Sequence, residues 1–489
     1  MSNKKQKIQR PKPETARGFR DIRGDYLQRR NDAIETLSKI YQSYGFEQLE
    51  TPTLEYAETL GKFLPDVDRP EGGVFGFKDD DEQWLAMRYD LTAPLARFAA
   101  KNAQFLPRPY KRFQVGNVFR NEKPGPGRFR EFMQFDADIV DTANICADAE
   151  LCLMLSDGLH SLGLEYKDVN ININNRKLLS AILELSSLSG DEPHIQKQRG
   201  IAMRAIDKLD RLGQEGVRLL LGQGRKDESG DFTEGAHLST DQADLILAFT
   251  QAKGADNQQT LHNLRTLVQE SEIGREGISE LEHMMTIINA AAKYPHFILD
   301  PATVRGLGYY TGPVFEAELT FSVPNEKGQI VQFGSVAGGG RYDELVKRFT
   351  GQEVPAVGVS IGLDRLLCAL EAKSLINHNH KKSSVLVTVM DKENMVDYIK
   401  IAQTLRHHHI IADLYVGDAG IKAQMKYADK KNATIAIIQG SDEREAGQVM
   451  IKDLQFRERY DNNPPEGIEQ QIICDISQMV DSVKAFLSR

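Results

Sequence analysis

Residues 119–132 read Phe119-Arg120-Asn121-Glu122-Lys123-Pro124-Gly125-Pro126-Gly127-Arg128-Phe129-Arg130-Glu131-Phe132. Proline lacks an amide donor and glycine tolerates turn conformations, so the Pro-Gly-Pro-Gly run stops any regular element. Apolar-rich segments flank it, Tyr110 to Phe119 and Phe129 to Ile139, and the stretch predicts two strands joined by a turn. The surroundings are basic. Arg88, Arg97, Lys101, Arg108, Lys111, Arg112, Arg120, Lys123, Arg128 and Arg130 meet only Asp90 and Glu122, with Glu131 and Asp136 at the edge. Arginine forks suit phosphate, so an anionic ligand is one expectation. A solvated charged hairpin is the other, and composition alone leans toward it.

Working outward, Tyr26 to Tyr44 carries Leu27, Ile34, Leu37, Ile40 and Tyr41 at near-helical spacing and stops at Gly45. Phe46 to Pro52 reads as extended, and Trp84 to Ala100 as a strand running into a helix. Between Asn174 and Ala292, Leu, Ile and Ala recur at helical spacing, interrupted by a polar stretch from Gly222 to Gly235. Strand-like segments resume at Val304 to Leu319 and Ile330 to Val336, and Val354 to Leu370 reads as a strand then a helix. After a polar linker, Val385 to Gln439 alternates apolar runs with helical patterns, a βαβαβ signature of a small α/β domain.

The chain has 489 residues, which at about 150 residues per domain predicts roughly three folded units. Hydrophobic residues make up 40% and charged residues 27%, enough for a buried core. A net charge of −9 argues against histone-like coating of nucleic acid but leaves room for a local basic groove. No apolar run approaches the roughly 20 residues that span a bilayer, and no secretory signal is legible. Cys146, Cys152, Cys368 and Cys474 form no CxxC pair and are expected to be buried thiols in a reducing compartment. A soluble cytoplasmic protein without membrane contact is therefore expected. His407-His408-His409 cannot converge on one metal ion, because adjacent helical residues point about 100° apart, and it reads as an exposed helix end. No metal ligands are assigned.

Two further segments are candidates for ligand contact. Gly358-Val359-Ser360-Ile361-Gly362-Leu363-Asp364-Arg365 places glycines in a strand and an arginine near a helix start, where amides favour anions. A tightly packed strand–helix corner explains it equally well. Val304-Arg305-Gly306-Leu307-Gly308-Tyr309-Tyr310-Thr311-Gly312 has the wrong glycine spacing for a dinucleotide loop, and suggests a polar pocket with aromatic walls or a turn with a buried tyrosine pair. Gly338-Gly339-Gly340-Arg341-Tyr342-Asp343 is similar in type.

Together these segments resemble the class II aminoacyl-tRNA synthetases, specifically the histidyl-tRNA synthetase family, over nearly the whole chain. Tyr26 to Pro52 resembles motif 1, Phe119 to Phe132 motif 2 and Gly362-Leu363-Asp364-Arg365 motif 3. Arg305-Gly306-Leu307-Gly308-Tyr309-Tyr310 and Gly339-Gly340-Arg341-Tyr342-Asp343 resemble the two histidine-specific signatures. Lys422 to Ala428 resembles the core of the family's anticodon-binding domain. The implied fold is an α+β catalytic domain whose antiparallel sheet is flanked by helices, with a mostly helical insertion and a C-terminal α/β domain. The implied division is a flexible basic arm at 1–17, catalytic core at 18–173 and 296–372, insertion at 174–295, linker at 373–384 and anticodon-binding domain at 385–489.

The resemblance implies a translation enzyme: a ligase that couples ATP, with Mg²⁺, to L-histidine and tRNA(His) through a histidyl-adenylate, acting as a homodimer through motif 1. It implies that Arg120 and Arg305 are catalytic, and that Arg120, Glu122, Arg128, Phe132 and Arg365 bind ATP. For histidine, Asp90, Thr92 and Gln134 would take the α-ammonium. Asp138 and Tyr310 would take the imidazole nitrogens, with Tyr309 in the wall and Arg305 beside the carboxylate. Arg88-Tyr89-Asp90-Leu91-Thr92 and Asp138 depart from the commonest bacterial pattern toward the eukaryotic one, and the Lys123–Gly127 loop is unusual. Two alternatives share the resemblance: a non-catalytic, synthetase-like regulatory subunit of histidine biosynthesis, and an RNA-binding signalling module. The retained arginines and the terminal domain weigh against both.

Overall fold

A computed structural model of the chain describes residues 11–63, 73–123, 129–206, 208–226, 230–304, 306, 309–324, 330–375, 384–461 and 464–488. The chain divides into two compact units, Met1–Ile376 and Asn377–Arg489.

An eight-stranded sheet organises the first unit. Its strands are β1 (Glu47–Gln48), β2 (Tyr110–Phe119), β3 (Glu131–Val140), β4 (Val169–Asn175), β5 (Phe297–Leu299), β6 (Pro313–Pro324), β7 (Ile330–Tyr342) and β8 (Ala356–Gly362). Their spatial order is β1-β2-β3-β8-β7-β6-β4-β5. The six central strands pair antiparallel, and short parallel strands close both edges. This is the antiparallel sheet flanked by helices that the resemblance implies.

Strand alternation sorts the side chains onto two faces. One face of β2, β3 and β8 carries Phe113, Phe135, Ala137, Val357, Val359 and Ile361, all buried. Phe113 stacks on Phe135 with ring centroids 5.6 Å apart, and Tyr41 of the helix Asp25–Ser43 meets Phe135 edge-on at 4.9 Å. Helices Cys146–Ser161 and Leu363–Ala372 extend the same core. The opposite face is polar and glycine-rich: Arg112, Gln114 and Gly116 on β2 lie beside Asp138, Asp136 and Gln134 on β3, and these beside Gly358, Ser360 and Gly362 on β8. Such a face cannot be packed dry at low cost, and it forms the floor of a hollow.

Among the described residues, six helices lie between Arg176 and Ala291, one of them, Leu209–Leu221, broken by a kink at Gly213. The polar stretch within them is not merely a break: Gly224–Lys226 pairs antiparallel with Phe232–Glu234 as a small hairpin. The strand expected from Val304 begins only at Pro313, because Gly306 takes a left-handed φ of +57° and turns the chain first.

The second unit has a five-stranded sheet in which Ile411–Leu414, Ser384–Val387 and Ile435–Ile438 are parallel. Two antiparallel strands, Gln448–Asp453 and Gln471–Asp475, and the helix Met479–Leu487 complete it beyond the βαβαβ pattern. His407 ends the helix Met395–His407, and His407, His408 and His409 are exposed. One expectation fails. Cys152 and Cys474 are buried, but Cys146 and Cys368 are exposed, since both sit on outward positions of helices whose other side meets the core. Among the described residues, no helix is long and apolar enough to cross a membrane.

Candidate active site

A hollow of about 530 Å³ opens over the polar face of the sheet. Its floor is Gln134 and Asp136 of β3, Ser360 and Gly362 of β8, and Ser335 to Gly338 of β7. Its rim brings Tyr89, Asp90, Thr92 and Arg120 to one side and Gly306, Tyr309 and Tyr310 to another, with Arg365 also lining it.

Asp90 ends the strand–turn that precedes the helix Thr92–Asn102. Its Oδ1 accepts from the amides of Thr92 at 3.1 Å and Ala93 at 2.9 Å, which fixes the carboxylate at the rim. Arg120, at the end of β2, lies between two rings: its guanidinium carbon is 4.4 Å from the Tyr89 centroid and 5.1 Å from that of Phe132. Such cation–π contacts orient the fork without neutralising it. Arg365, in the first turn of Leu363–Ala372, donates from Nη2 to the Phe333 carbonyl at 2.5 Å. Next to it, Asp364 gathers the motif segments: it accepts from Arg20, from the Tyr26 hydroxyl at 2.8 Å and from the Met133 amide at 2.8 Å.

Tyr309 and Tyr310 meet edge-on at 5.1 Å, and Tyr309 lies 5.5 Å from Tyr342. A Cβ on Gly306 would collide with the Tyr310 ring, so that glycine is needed both for its φ and for the aromatic wall.

Asp138 does not line the hollow. It lies further along the same face of β3, 3% exposed, where the Tyr342 hydroxyl donates to its Oδ1 and Arg112 Nη2 lies 2.7 Å from its Oδ2. The Arg112 contact is ionic rather than aligned, since Nη2 directs its hydrogen bond to the Leu91 carbonyl at 3.1 Å. Burial pushes the Asp138 carboxyl up, against the pull of Arg112 and Tyr342. Glu122 and Phe132 also stand outside the lining: Glu122 accepts from the Tyr89 hydroxyl at 3.1 Å, and Phe132 backs Arg120. Arg128 and Arg305 lie outside the described residues, Arg305 directly before Gly306 of the rim.

Most of the basic cluster is not a groove for anions. Arg97 pairs with Glu55 through two bonds of 2.6 and 2.9 Å, Lys111 with Glu150 and Arg108 with Asp141. Arg88 is 7% exposed and donates to the carbonyls of Asn117 and Thr51. Composition cannot separate a guanidinium facing a ligand from one that ties two strands together.

Against this geometry, the family model for histidyl-tRNA synthetase matches residues 18–366, and that for an anticodon binding domain matches residues 383–469. The chain belongs to the histidyl-tRNA synthetase family. It is 54% identical to the histidine–tRNA ligase of a Jannaschia species, over 92% of each chain, and 50% identical to that of Dinoroseobacter shibae, over 99% of each. The structure of the histidyl-tRNA synthetase from a Nostoc species matches with a TM-score of 0.72 at 28% identity, covering 97% of this chain and all of that one. A Bacillus halodurans structure described as an ATP phosphoribosyltransferase regulatory subunit/histidyl-tRNA synthetase matches with a TM-score of 0.65 at 21% identity, over 86% of this chain and 97% of that one, a likeness of fold alone.

Within the family frame, the sequence motifs are spatially joined by the sheet. Motif reading missed Asp136 and Ser360, both in the floor. A signal was available: Gln134, Asp136 and Asp138 alternate along one strand and so share a face. It also gave no role to Arg341. That residue points to the other face of the sheet, where its guanidinium binds Asp148 and donates to the Thr142 carbonyl at 2.7 Å.

Proposed function

We propose that the hollow over the polar face of the sheet holds L-histidine and ATP side by side, and that the chain joins histidine to tRNA(His) in two steps. The histidine carboxylate attacks the α-phosphorus of ATP, the bond to pyrophosphate breaks, and histidyl-adenylate remains. A hydroxyl of the terminal ribose of tRNA(His) then attacks the activated carbonyl, and AMP leaves. The observation that carries this is the meeting of Arg120 and Arg365, from motifs 2 and 3, with Asp90, Thr92 and Gln134 around one cavity.

Attack of one anion on another needs fixed positive charge. Arg120 would hold the α-phosphate, Arg365 and Arg128 the outer phosphates, and Arg305 the carboxylate and α-phosphate. Phe132 would stack on adenine and Glu122 would complete the ATP site. Asp90, Thr92 and Gln134 would bind the α-ammonium, while Asp138 and Tyr310 would take the imidazole nitrogens, with Tyr309 in the wall. Polar partners on both ring nitrogens reject apolar isosteres. Mg²⁺ would arrive with the nucleotide phosphates. Among the described residues no group of three or more His, Cys, Asp or Glu side chains is gathered to hold it as a resident ion.

The core at 18–173 and 296–372 would carry the chemistry, the insertion at 174–295 would clasp the acceptor stem, and 385–489 would read the anticodon beyond the linker at 373–384, with 1–17 as a basic arm. Homodimerisation through motif 1 and a cytoplasmic location complete the proposal. Histidine-dependent exchange of labelled pyrophosphate into ATP, followed by charging of tRNA(His), tests it. A folded protein that neither exchanges nor charges would instead be a regulatory subunit.

A further inference from the structure

Among the described residues, two acceptors in the floor of the hollow have no donor. Asp136 is 2% exposed and its Oδ1 lacks a hydrogen-bond partner; Gln134, two residues earlier on the same face, is 8% exposed and its Oε1 lacks one too. Buried polar atoms left unpaired are costly, so two neighbouring ones lining an open cavity point to a donor that arrives from outside. The amide of Gln134 is anchored at its other end, where Nε2 donates to Ser360 Oγ at 2.9 Å and leaves Oε1 to accept. Asp138, the next residue along that face, is already engaged by Tyr342 and Arg112.

Charge leads to the same conclusion. Asp138 and Asp90 raise the proton affinity of Asp136, and Asp90 that of Asp138, while Arg112 opposes both; Arg88 also feels the Asp136 charge. Arg88 directs two of its N–H groups to backbone carbonyls. Burial, partly offset by Arg112, holds the Asp136 carboxyl at about 7, the mark of a carboxylate short of positive charge. An imidazole nitrogen donates one hydrogen bond, and a neutral imidazole brings no charge. An ammonium brings three N–H donors and a full charge at neutral pH. Two adjacent orphan acceptors with the Asp90 carboxylate at the rim fit the ammonium.

We infer that Asp136 is a further substrate-binding residue, which joins Gln134 and Asp90 in receiving the α-ammonium of the amino acid. This rests on the hollow being the histidine site. The test uses the full chain and Asp136→Asn, read by histidine-dependent pyrophosphate exchange and by inhibition with imidazolepropionate, which is histidine without its ammonium. The KM for histidine should rise on the order of 10- to 100-fold, as for loss of a hydrogen bond to a charged group, with the KM for ATP unchanged. The inhibition constant of imidazolepropionate should stay as in the parent. An unchanged KM for histidine, or an inhibition constant that rises in parallel with it, overturns the assignment. A parent with no histidine-dependent exchange overturns the function itself, a separate result. If Asp136→Asn and Asp136→Ser both fail to fold, Asp136 is a structural residue and the inference is wrong.

Discussion

Arg112 and Asp138 form an ion pair across neighbouring strands, 2.7 Å apart, with side chains 0% and 4% exposed, on the face of the sheet that also carries the floor of the hollow. Neither charge can reach water, so each is tolerated only because of the other. Removing one partner should therefore cost more than the pair contributes. Arg112→Met is expected to destabilise the first unit by about 3–5 kcal/mol. The denaturant midpoint measures it; a shift under a few tenths of that would show that the pair is not needed.

The Tyr342 hydroxyl donates to the other oxygen of Asp138. Tyr342→Phe should leave that oxygen buried and unsatisfied, at a cost of about 1–3 kcal/mol. As Asp138 is a proposed partner of the imidazole, the KM for histidine should rise while that for ATP holds. Equal changes in both would point to general loosening of the site.

Gly358 permits the same arrangement from β8. A Cβ there would overlap Asp138 Oδ1, whose strand is held in register on both sides. Gly358→Ala should destabilise by about 1–3 kcal/mol, as overpacking does. Combined with Asp138→Ala, the penalty should shrink, which a double-mutant cycle in thermal melts would reveal.

Asp136 makes stability pH-dependent. Burial first, then neighbouring Asp138 and Asp90, raise its carboxyl to about 7 while Arg112 and Ser360 pull it down; in the unfolded chain it titrates near about 3.9. The folded state thus binds the proton more tightly, and stability falls as pH rises from about 4 to 7, then levels off. Asp148, raised to about 6 mainly by burial against the pull of Arg341, acts with the same sign. Asp136→Asn should remove its share, up to about 4 kcal/mol. The variant should therefore melt above the parent at pH 8, with little difference near pH 4. A variant that melts lower at pH 8 would contradict an under-neutralised carboxylate.

Arg120 is oriented by Tyr89 and Phe132 and faces the cavity. Arg120→Ala should keep the fold and lower kcat/KM for adenylate formation by roughly 100- to 1,000-fold, the usual effect of losing one preorganised charge. Near-normal exchange would remove Arg120 from the chemistry.

Much of the fold was legible locally. Alternation and turn residues located β2, β3 and β8, and helical spacing located Asp25–Ser43 and the helices after Arg176. The strands Gln448–Asp453 and Gln471–Asp475 were not read, since these short segments become strands only through pairing, the first with Ile435–Ile438 and the second with the first. At the site, Asp90, Thr92, Gln134, Tyr309, Tyr310, Arg120 and Arg365, to which the resemblance gives binding roles, all line the hollow.

The sequence by itself determined the family and, through that resemblance, the α+β architecture and the kind of chemistry, because the motifs that carry the resemblance are short runs of neighbours in the chain. Which charges serve the ligand was decided only by tertiary structure. Asp138 meets Tyr342 across 204 positions, and Arg341 meets Asp148 across 193. Whether a carboxylate faces a cavity or a buried guanidinium depends on which distant strand pairs beside it, and strand pairing is set by the whole sheet closing over its core.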